Sequence, residues 1–328
     1  MHLDSDWYKP KISRQEIKEL SKRRDFPGIL HMFIYFFSLI LFGYLAYIFI
    51  DTYWSILFFF IYGTIWAFSV ANWHETVHRS AFKTRWINEF VYHISSFMGD
   101  FEGYRWRWSH TFHHSNTYQT KDDYDYEIQV SRPTEVITFF INFIPFGDLL
   151  FPHKLFKYEV LKHSFKKFSP VIQITAPEKE KKKIVWNSRL YLFIWILILL
   201  YSIWIGSWLP IIYLLLPNYY GKPLQFLVNV TQHLAAPFDK KDHRESTYSV
   251  NINPIFGFLY WNMQYHLEHH MFPTIPSYNL KKLREKIKDQ IPKPFPSLFA
   301  FYREVLPAAI KQATNPEYYY KTRIPSSK

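Results

Sequence analysis

The sequence predicts an all-α integral membrane protein with four transmembrane helices in two hairpins and a cytoplasmic helical cap. Long uncharged apolar runs occur in two pairs, aromatic residues make up 21% of the chain, and Lys and Arg avoid the tips of both hairpins. Aromatic excess beside apolar runs is typical of membrane contact, and one-sided Lys and Arg set the orientation. The mean hydropathy of the 328 residues is only −0.17, so much of the chain lies outside the lipid.

A polar, basic arm over residues 1–28 precedes the first hairpin. Ser13 and Glu16 have the spacing of a capping box, which predicts a short surface helix. The spans of the first hairpin are residues 29–50 and 53–73. At a rise of 1.5 Å per residue the first run reaches about 33 Å, enough to cross a bilayer. Because no helix breaker follows the second span, we expect it to continue as a helix beyond the membrane.

Residues 79–188 are mostly polar and predict the first part of the cytoplasmic cap. The apolar stretch Val136–Leu150 is too short to span a bilayer and contains Pro145 and Gly147, so we expect it to lie on the membrane surface or to re-enter. The charge run Pro177–Lys183 predicts a solvated loop at the membrane surface.

The second hairpin comprises predicted spans 190–209 and 211–235. Pro217, Gly221 and Pro223 interrupt the fourth span, which predicts a kink or an unwound turn. The chain then forms the rest of the cap.

Residues 239–328 complete the cytoplasmic cap, which makes the whole chain a single domain. They include a basic amphipathic helix near Tyr278–Gln290. Lys and Arg are abundant in the arm and in both cap segments, but absent from the tips near Asp51 and Gly206–Pro210. The positive-inside rule therefore places both termini in the cytoplasm.

Composition excludes several kinds of chemistry. The chain has no cysteine, which rules out disulfides, thiolate metal ligands, iron–sulfur clusters and a cysteine nucleophile. The net charge is +12 at pH 7. Because this charge flanks apolar runs, it fits anionic lipid headgroups better than nucleic acid, and we expect no nucleic-acid partner.

Eight histidines fall into three clusters. Spacings of i, i+3 and i+4 place the imidazoles of each cluster on one helix face. Neutral imidazole is the commonest metal ligand, and eight nitrogens are too many for one tetrahedral zinc, so the number favours two metals. The clusters are His74 and His78 in HETVH, His110, His113 and His114 in HTFHH, and His266, His269 and His270 in HLEHH.

Other metal readings explain the clusters less well. A haem needs only two axial histidines, and a zinc hydrolase with an HExxH motif needs one further ligand. Either leaves most of the eight histidines without a role. A membrane metal transporter or sensor would place its ligands near mid-bilayer, whereas these clusters lie outside the predicted spans.

HETVH, HTFHH and HLEHH resemble the three histidine boxes of the membrane fatty-acid desaturase and hydroxylase superfamily. The resemblance implies a non-haem di-iron centre, with two Fe ions and O₂ as co-substrate. Asn229-Val-Thr-Gln-His233 resembles the NxxxH motif of the stearoyl-CoA desaturase branch, which implies that His233 is a ninth ligand and that Asn229 binds iron through water. The first box is one residue shorter than in that branch, and in this it is similar to acyl-lipid desaturases, hydroxylases and carotenoid ketolases.

The resemblance implies desaturation or hydroxylation of an unactivated C–H bond in a lipid or acyl chain, and leaves open which of the two. A small non-lipid amphiphile or a carotenoid-type molecule is the alternative substrate. The HPGG motif of a fused cytochrome b5 domain is absent. We therefore expect an external electron donor of the ferredoxin, rubredoxin or cytochrome b5 type, with its reductase.

Three further expectations concern side chains around this centre. Carboxylates should accept the outer imidazole N–H groups. Arg105 and Arg107 could grip a substrate headgroup or anchor the chain at the membrane interface. The basic surface at Lys281–Lys288 could dock an acidic electron carrier or attract anionic lipid. The candidate carboxylates are Glu75, Glu102, Asp122, Asp123, Asp125, Asp242, Glu245 and Glu268.

Overall fold

A computed structural model describes residues 7–119 and 133–325. Within these residues every regular element is helical, and two isolated β-bridges are the only strand-like pairings. The helices are α1 (Arg14–Leu20), α2 (Asp25–Ile48), α3 (Trp54–Ala67), α4 (Ser69–Val77), α5 (Arg85–Met98), α6 (Gly103–Ser115), α7 (Pro133–Ile141), α8 (Phe156–Ser164), α9 (Pro170–Thr175), α10 (Glu178–Trp204), α11 (Leu209–Leu214), α12 (Pro217–Asn229), α13 (His243–Ser246), α14 (Pro254–Leu259), α15 (His266–Met271), α16 (Ser277–Ile287) and α17 (Leu298–Thr314).

Three of the described helices are long and apolar enough to cross a membrane: Asp25–Ile48, Trp54–Val77 and Glu178–Trp204. The second of these joins α3 and α4 through a single turn residue, Phe68. The prediction that this span continues as helix up to the first histidine cluster is therefore confirmed. The capping box that opens α1 at Ser13 is confirmed as well.

The end of the first hairpin opposite its tip lies beside the first histidine cluster. Asp25, at the start of α2, accepts hydrogen bonds of 2.8 Å from both the backbone N–H and the hydroxyl of Thr84. Gly28 packs against Ala81 and Phe82 so closely that a Cβ would overlap them. The start of α2 and the end of α4 therefore lie at the same end of the molecule.

The charge run Pro177–Lys183 is helical, so the prediction of a solvated loop was wrong. Pro177 is the N-cap of α10. The acidic residues of the first turn, Glu178 and Glu180, stabilise the helix because they lie at the positive end of its dipole. Glu180 also pairs with Lys183 at 2.9 Å, three residues further along the helix. Glu and Lys are good helix formers, and here they extend the apolar helix toward its N-terminus.

The chain returns through two shorter helices, α11 and α12. The predicted interruption is confirmed and lies just before Pro217, whereas Gly221 and Pro223 lie inside α12. A Cβ at Gly221 would overlap the backbone of Gly63 on α3. These two glycines let α3 and α12 approach very closely, as small residues do where membrane helices cross.

The short apolar stretch after α7 packs on α12. The backbone N–H of Phe146 donates to Tyr219 O at 2.7 Å, and Lys222 pairs with Asp148 at 2.7 Å. Ile144 and Leu150 remain exposed on its outer side. The segment is thus tied to α12 by polar contacts while it presents an apolar face outward.

The N-terminal arm packs on α16, the predicted basic helix, which is confirmed at Ser277–Ile287. Glu16 pairs with Lys286 at 2.7 Å, and the N–H of Arg24 donates to the hydroxyl of Tyr278 at 2.9 Å. The arm and the C-terminal third therefore share one end of the molecule.

Candidate metal centre

Each histidine cluster is carried by a short helix at one end of the bundle. His74 lies in the last turn of α4 and His78 caps its C-terminus. The second cluster lies in the last two turns of α6, whose N-terminus is capped by the carboxylate of Glu102. The third cluster forms α15, which follows a turn in which Trp261 and Asn262 both have positive φ. The tight turn directs α15 back into the molecule.

Five imidazoles form a first group, in which one ring nitrogen from each lies within 4.8 Å of the others. Between Nε2 atoms, the distance is 2.9 Å from His74 to His269. His110 Nε2 lies 3.1 Å from the Nε2 atoms of both His78 and His114. All three predicted clusters contribute to this group.

A second group lies beside the first. His113, His233 and His270 offer ring nitrogens within 4.8 Å of one another. His266 Nε2 lies 3.1 Å from the Nε2 atoms of both His233 and His270. The rings of His114 and His270 are stacked with centroids 4.2 Å apart, so the two groups adjoin. The structure thus brings together all nine histidines that the sequence singled out.

The donor set fits two metal ions. Nitrogens bound at right angles to a metal at about 2.0–2.1 Å lie about 2.9 Å apart, which agrees with the Nε2 distances here. Metal binding also requires neutral imidazole. Burial, together with neighbouring imidazoles, lowers the pKa of His110, His114 and His270 well below its ordinary value. These rings therefore keep a lone pair available at neutral pH.

Outer contacts fix the orientation of two rings. His233 Nδ1 donates to the backbone carbonyl of Ser246 at 2.8 Å, which leaves Nε2 as the acceptor atom that faces the group. Thr117 Oγ1 donates to His113 O at 2.7 Å and lies 3.2 Å from His270 Nδ1. Neither contact was predicted from the sequence, although Thr117 follows His113 by one helical turn, and this spacing could have indicated the contacts of Thr117.

The candidate carboxylates were expected to accept the outer imidazole N–H groups. Those with described side-chain contacts instead bind other residues and so hold the helices that carry the histidines. Glu75 accepts from Ser80 and from the backbone N–H of Ser277 at 3.1 Å. Glu268 binds the guanidinium of Arg284 and accepts from Ser249 at 2.6 Å. The remaining candidate carboxylates have the following positions: Glu102 caps α6, Asp242 caps α13, Glu245 donates its backbone N–H to the carbonyl of Asp242, and Asp122, Asp123 and Asp125 lie outside the described residues.

Asn229 is the last residue of α12 and is half-buried. A 3₁₀ turn, Val230–Gln232, then leads directly to His233. Gln232 donates to the hydroxyl of Tyr260, so its side chain does not cap the helix end.

The two arginines considered for headgroup binding already have acidic partners. Arg105 pairs with Glu159 at 3.1 Å and Arg107 with Glu89 at 2.9 Å. Their charges therefore stabilise the packing of α6 on α8 and α5.

Comparison with known proteins agrees with this geometry. The model of a protein family described as fatty acid desaturase matches residues 51–302, a stretch that contains all nine clustered histidines. No curated protein matches the chain.

Proposed function

The chain belongs to the fatty acid desaturase family, and from that premise we propose that it catalyses O₂-dependent desaturation or hydroxylation of an unactivated C–H bond in a lipid or acyl chain. The observation that carries this proposal is the convergence of nine buried or half-buried imidazoles in two adjoining groups. Two iron ions held there would supply O₂ activation and an oxidant that no side chain can provide.

The groups suggest how the ligands divide. One iron would be held by His74, His78, His110, His114 and His269, and the other by His113, His233, His266 and His270. Asn229, which lies one helical turn before His233, would bind the iron that His233 does not hold, through a water molecule. The protein's own contribution is to hold these nitrogens in position and to keep them unprotonated.

Electron balance requires a partner. Hydroxylation consumes O₂, two electrons and two protons and yields an alcohol and one water, whereas desaturation yields a double bond and two waters. Without cysteine the chain cannot hold an iron–sulfur cluster of its own. We propose an external donor of the ferredoxin, rubredoxin or cytochrome b5 type, together with its reductase.

The packing of the arm supports a four-span topology with a cytoplasmic cap. Glu16 and Arg24 contact α16, so the chain before the first span and the chain after α12 lie on the same side. Three crossings would separate them, whereas a return through α11 and α12 unites them. The Lys and Arg distribution supports a cytoplasmic location for this side and for both termini.

The position of the site supports a substrate that partitions into the bilayer. The histidines lie at the ends of helices whose outer faces expose Phe33, Ile40 and Phe193. An acyl chain in the membrane would reach the site without crossing water. The first histidine box has the shorter spacing that is also found in carotenoid ketolases. A carotenoid-type or small amphiphilic substrate therefore remains the alternative. A transporter is disfavoured because the clusters lie at the helix ends.

The test combines metal analysis of the purified protein with mass spectrometry of lipids from cells that express the chain. We expect about two irons per chain, as nine nitrogens in two groups require, and lipid products that form only with O₂ and reductant. Cells expressing a variant with His110 and His270 both replaced by Ala serve as the control. Exchangeable metal, accompanied by metal uptake into vesicles, would instead support a transporter.

A further inference from the structure

Three neighbouring aromatic rings lead from Trp7, which is 7% exposed, to the second histidine group. The indole of Trp7 stacks on the imidazole of His243, with ring centroids 4.2 Å apart and planes 14° apart. The centroid of the His243 ring lies 5.2 Å from that of His270, and the two ring planes are tilted by 57°. His243 is 5% exposed, and its Nδ1 has no hydrogen-bond partner within residues 7–119 and 133–325.

The contacts of the arm hold this stack in place. The N–H of Tyr8 donates to Lys241 O at 3.0 Å, and the guanidinium of Arg244 lies over the Tyr8 ring. Lys11 and Gln290 exchange two hydrogen bonds, of 2.6 and 2.9 Å, through the backbone of Lys11. The arm is therefore held against residues 241–244 and Gln290 by these contacts, and they fix the position of Trp7.

The described segments around Trp7 are mainly basic. Residues 7–11 and 239–244 contain five Lys and Arg residues against two Asp, and Asp242 is already paired with Arg244 at 2.7 Å. Lys9, Lys11 and Lys240 are exposed, and none of them forms an ion pair with any residue that the structure describes. Such a surface attracts an acidic partner and accelerates its encounter.

The basic face of α16 is less suited to that role. Lys286 is paired with Glu16 and Lys288 with Glu285. Arg284 is buried against Glu268. Only Lys281 and Lys282 of the predicted docking residues remain without a described ion pair.

We propose that an acidic one-electron carrier protein docks on the strap surface, formed by residues 7–11 and 239–244, and that electrons enter through Trp7, His243 and His270. This inference rests on the proposed function. Each docking event oxidises the carrier by one electron and reduces the metal site by one, so two events supply the two electrons of a turnover. Tunnelling through protein weakens exponentially with distance, and these three neighbouring rings give a short path.

The first test measures electron transfer from the carrier rather than product. Reduced soluble cytochrome b5, ferredoxin and rubredoxin are mixed with the iron-loaded protein without O₂, and carrier oxidation is followed by stopped-flow absorbance. At low salt, Lys9→Glu/Lys11→Glu should lower the second-order rate constant on the order of tenfold. The matched variant Lys281→Glu/Lys282→Glu should remain close to wild type. The hydrogen bonds of Lys11 use its backbone, so the change leaves them intact.

The second test separates docking from the ring path. At saturating carrier, Trp7→Leu should slow the first-order transfer step, while Trp7→Phe keeps most of it and both variants keep their iron. Equal losses in the two lysine variants, or an unchanged rate in Trp7→Leu, would overturn the proposal. If dithionite reduces the wild type but no carrier does, the docking surface is wrong and the function stands. If the dithionite-reduced protein oxidises no lipid in O₂, the proposed function itself fails.

Discussion

At the scale of single residues, the site depends on imidazoles that cannot replace one another. The Nε2 atom of His110 lies 3.1 Å from the Nε2 atoms of both His78 and His114, so removal of this ring disturbs two neighbours at once. His74, His269 and His270 are also buried, and no described histidine beyond the nine adds a ring nitrogen to either group. A lost nitrogen therefore leaves a gap that the surrounding packed side chains cannot fill.

Replacement of any box histidine should abolish turnover and reduce bound iron. Removing one nitrogen from a site of four or five weakens binding of that ion, and we expect about one iron or less per chain. Metal analysis of the eight purified variants checks this, with His153→Ala as an exposed histidine control. Normal activity in two or more of the eight would contradict the di-iron assignment. The eight are His74, His78, His110, His113, His114, His266, His269 and His270.

His233 and Asn229 should differ in their effects. His233→Ala removes an imidazole that lies 3.1 Å from His266 and should lose iron and activity together. Asn229→Ala should keep most of the iron but lose turnover, because it removes a contact made through water. A ratio of activity to iron that is equal in the two variants would argue against separate roles. Metal content and turnover measured on the same preparations provide this ratio.

At the scale of elements, the sequence predicted what local spacing determines. The i, i+3 and i+4 pattern correctly placed the second and third clusters on helices, and Pro217 correctly marked the break in the return segment. The partners of Glu268 and the 3.1 Å approach of His233 to His266 depend on contacts between residues far apart in the chain. No local pattern carries that information, so only the folded structure shows it.

The crossing of α3 and α12 should be sensitive to one methyl group. Gly221→Ala places a Cβ against the backbone of Gly63, which cannot move aside as a side chain can. We expect a loss of several kcal/mol, at or above the usual cost of overpacking of about 1–3 kcal/mol. Gly257→Ala is the control, because its Cβ would meet only the flexible end of Gln264. Yield of folded, iron-containing protein and thermal unfolding in detergent measure the difference, and equal values would refute the close crossing.

The cap of α6 predicts a pH dependence. Burial raises the pKa of Glu102 to about 7, although hydrogen bonds from Arg105, Asn187 and Tyr104 oppose the rise. Its protonated form is therefore favoured in the folded state, and this contribution is present below pH 4.5 and lost as the pH rises through about 7. At about 1.4 kcal/mol per unit the effect is at most about 3 kcal/mol.

The variant Glu102→Gln isolates this effect, because the amide keeps an oxygen for the cap but does not titrate. Between pH 5 and pH 8 the apparent melting temperature of the wild type should fall relative to that of the variant. Parallel curves over this range would show that Glu102 does not titrate there.

At the scale of the whole molecule, the arm, α16 and the histidines share one end, while the hairpin tips lie at the other. Asp51 and Gly206 mark the two tips, and neither tip carries Lys or Arg. Large apolar residues such as Tyr53 and Trp208 remain exposed near them. This polarity along the bundle is what a protein that crosses the bilayer with its site on one face requires.

Single cysteines can test the topology because the chain has none of its own. Asp51→Cys should react with an impermeant maleimide added outside intact cells, since the tip faces outward in the proposed arrangement. Lys182→Cys, at an exposed position near the start of α10, should react only after the membrane is opened. The reverse pattern would invert the topology, and labelling of both from outside would rule out two hairpins.

The wide spacing of the site along the chain also sets an order of events during synthesis. His78 and His270 belong to adjoining groups, yet about 190 residues separate them, which takes roughly 10 to 40 s to translate. Throughout that interval the first cluster lacks its partners, and in the proposed topology the second hairpin must insert before His233 can reach the site. In the proposed arrangement, iron could therefore bind only late, to a chain already anchored in its membrane, and the supply of metal at that surface would become part of how the protein matures.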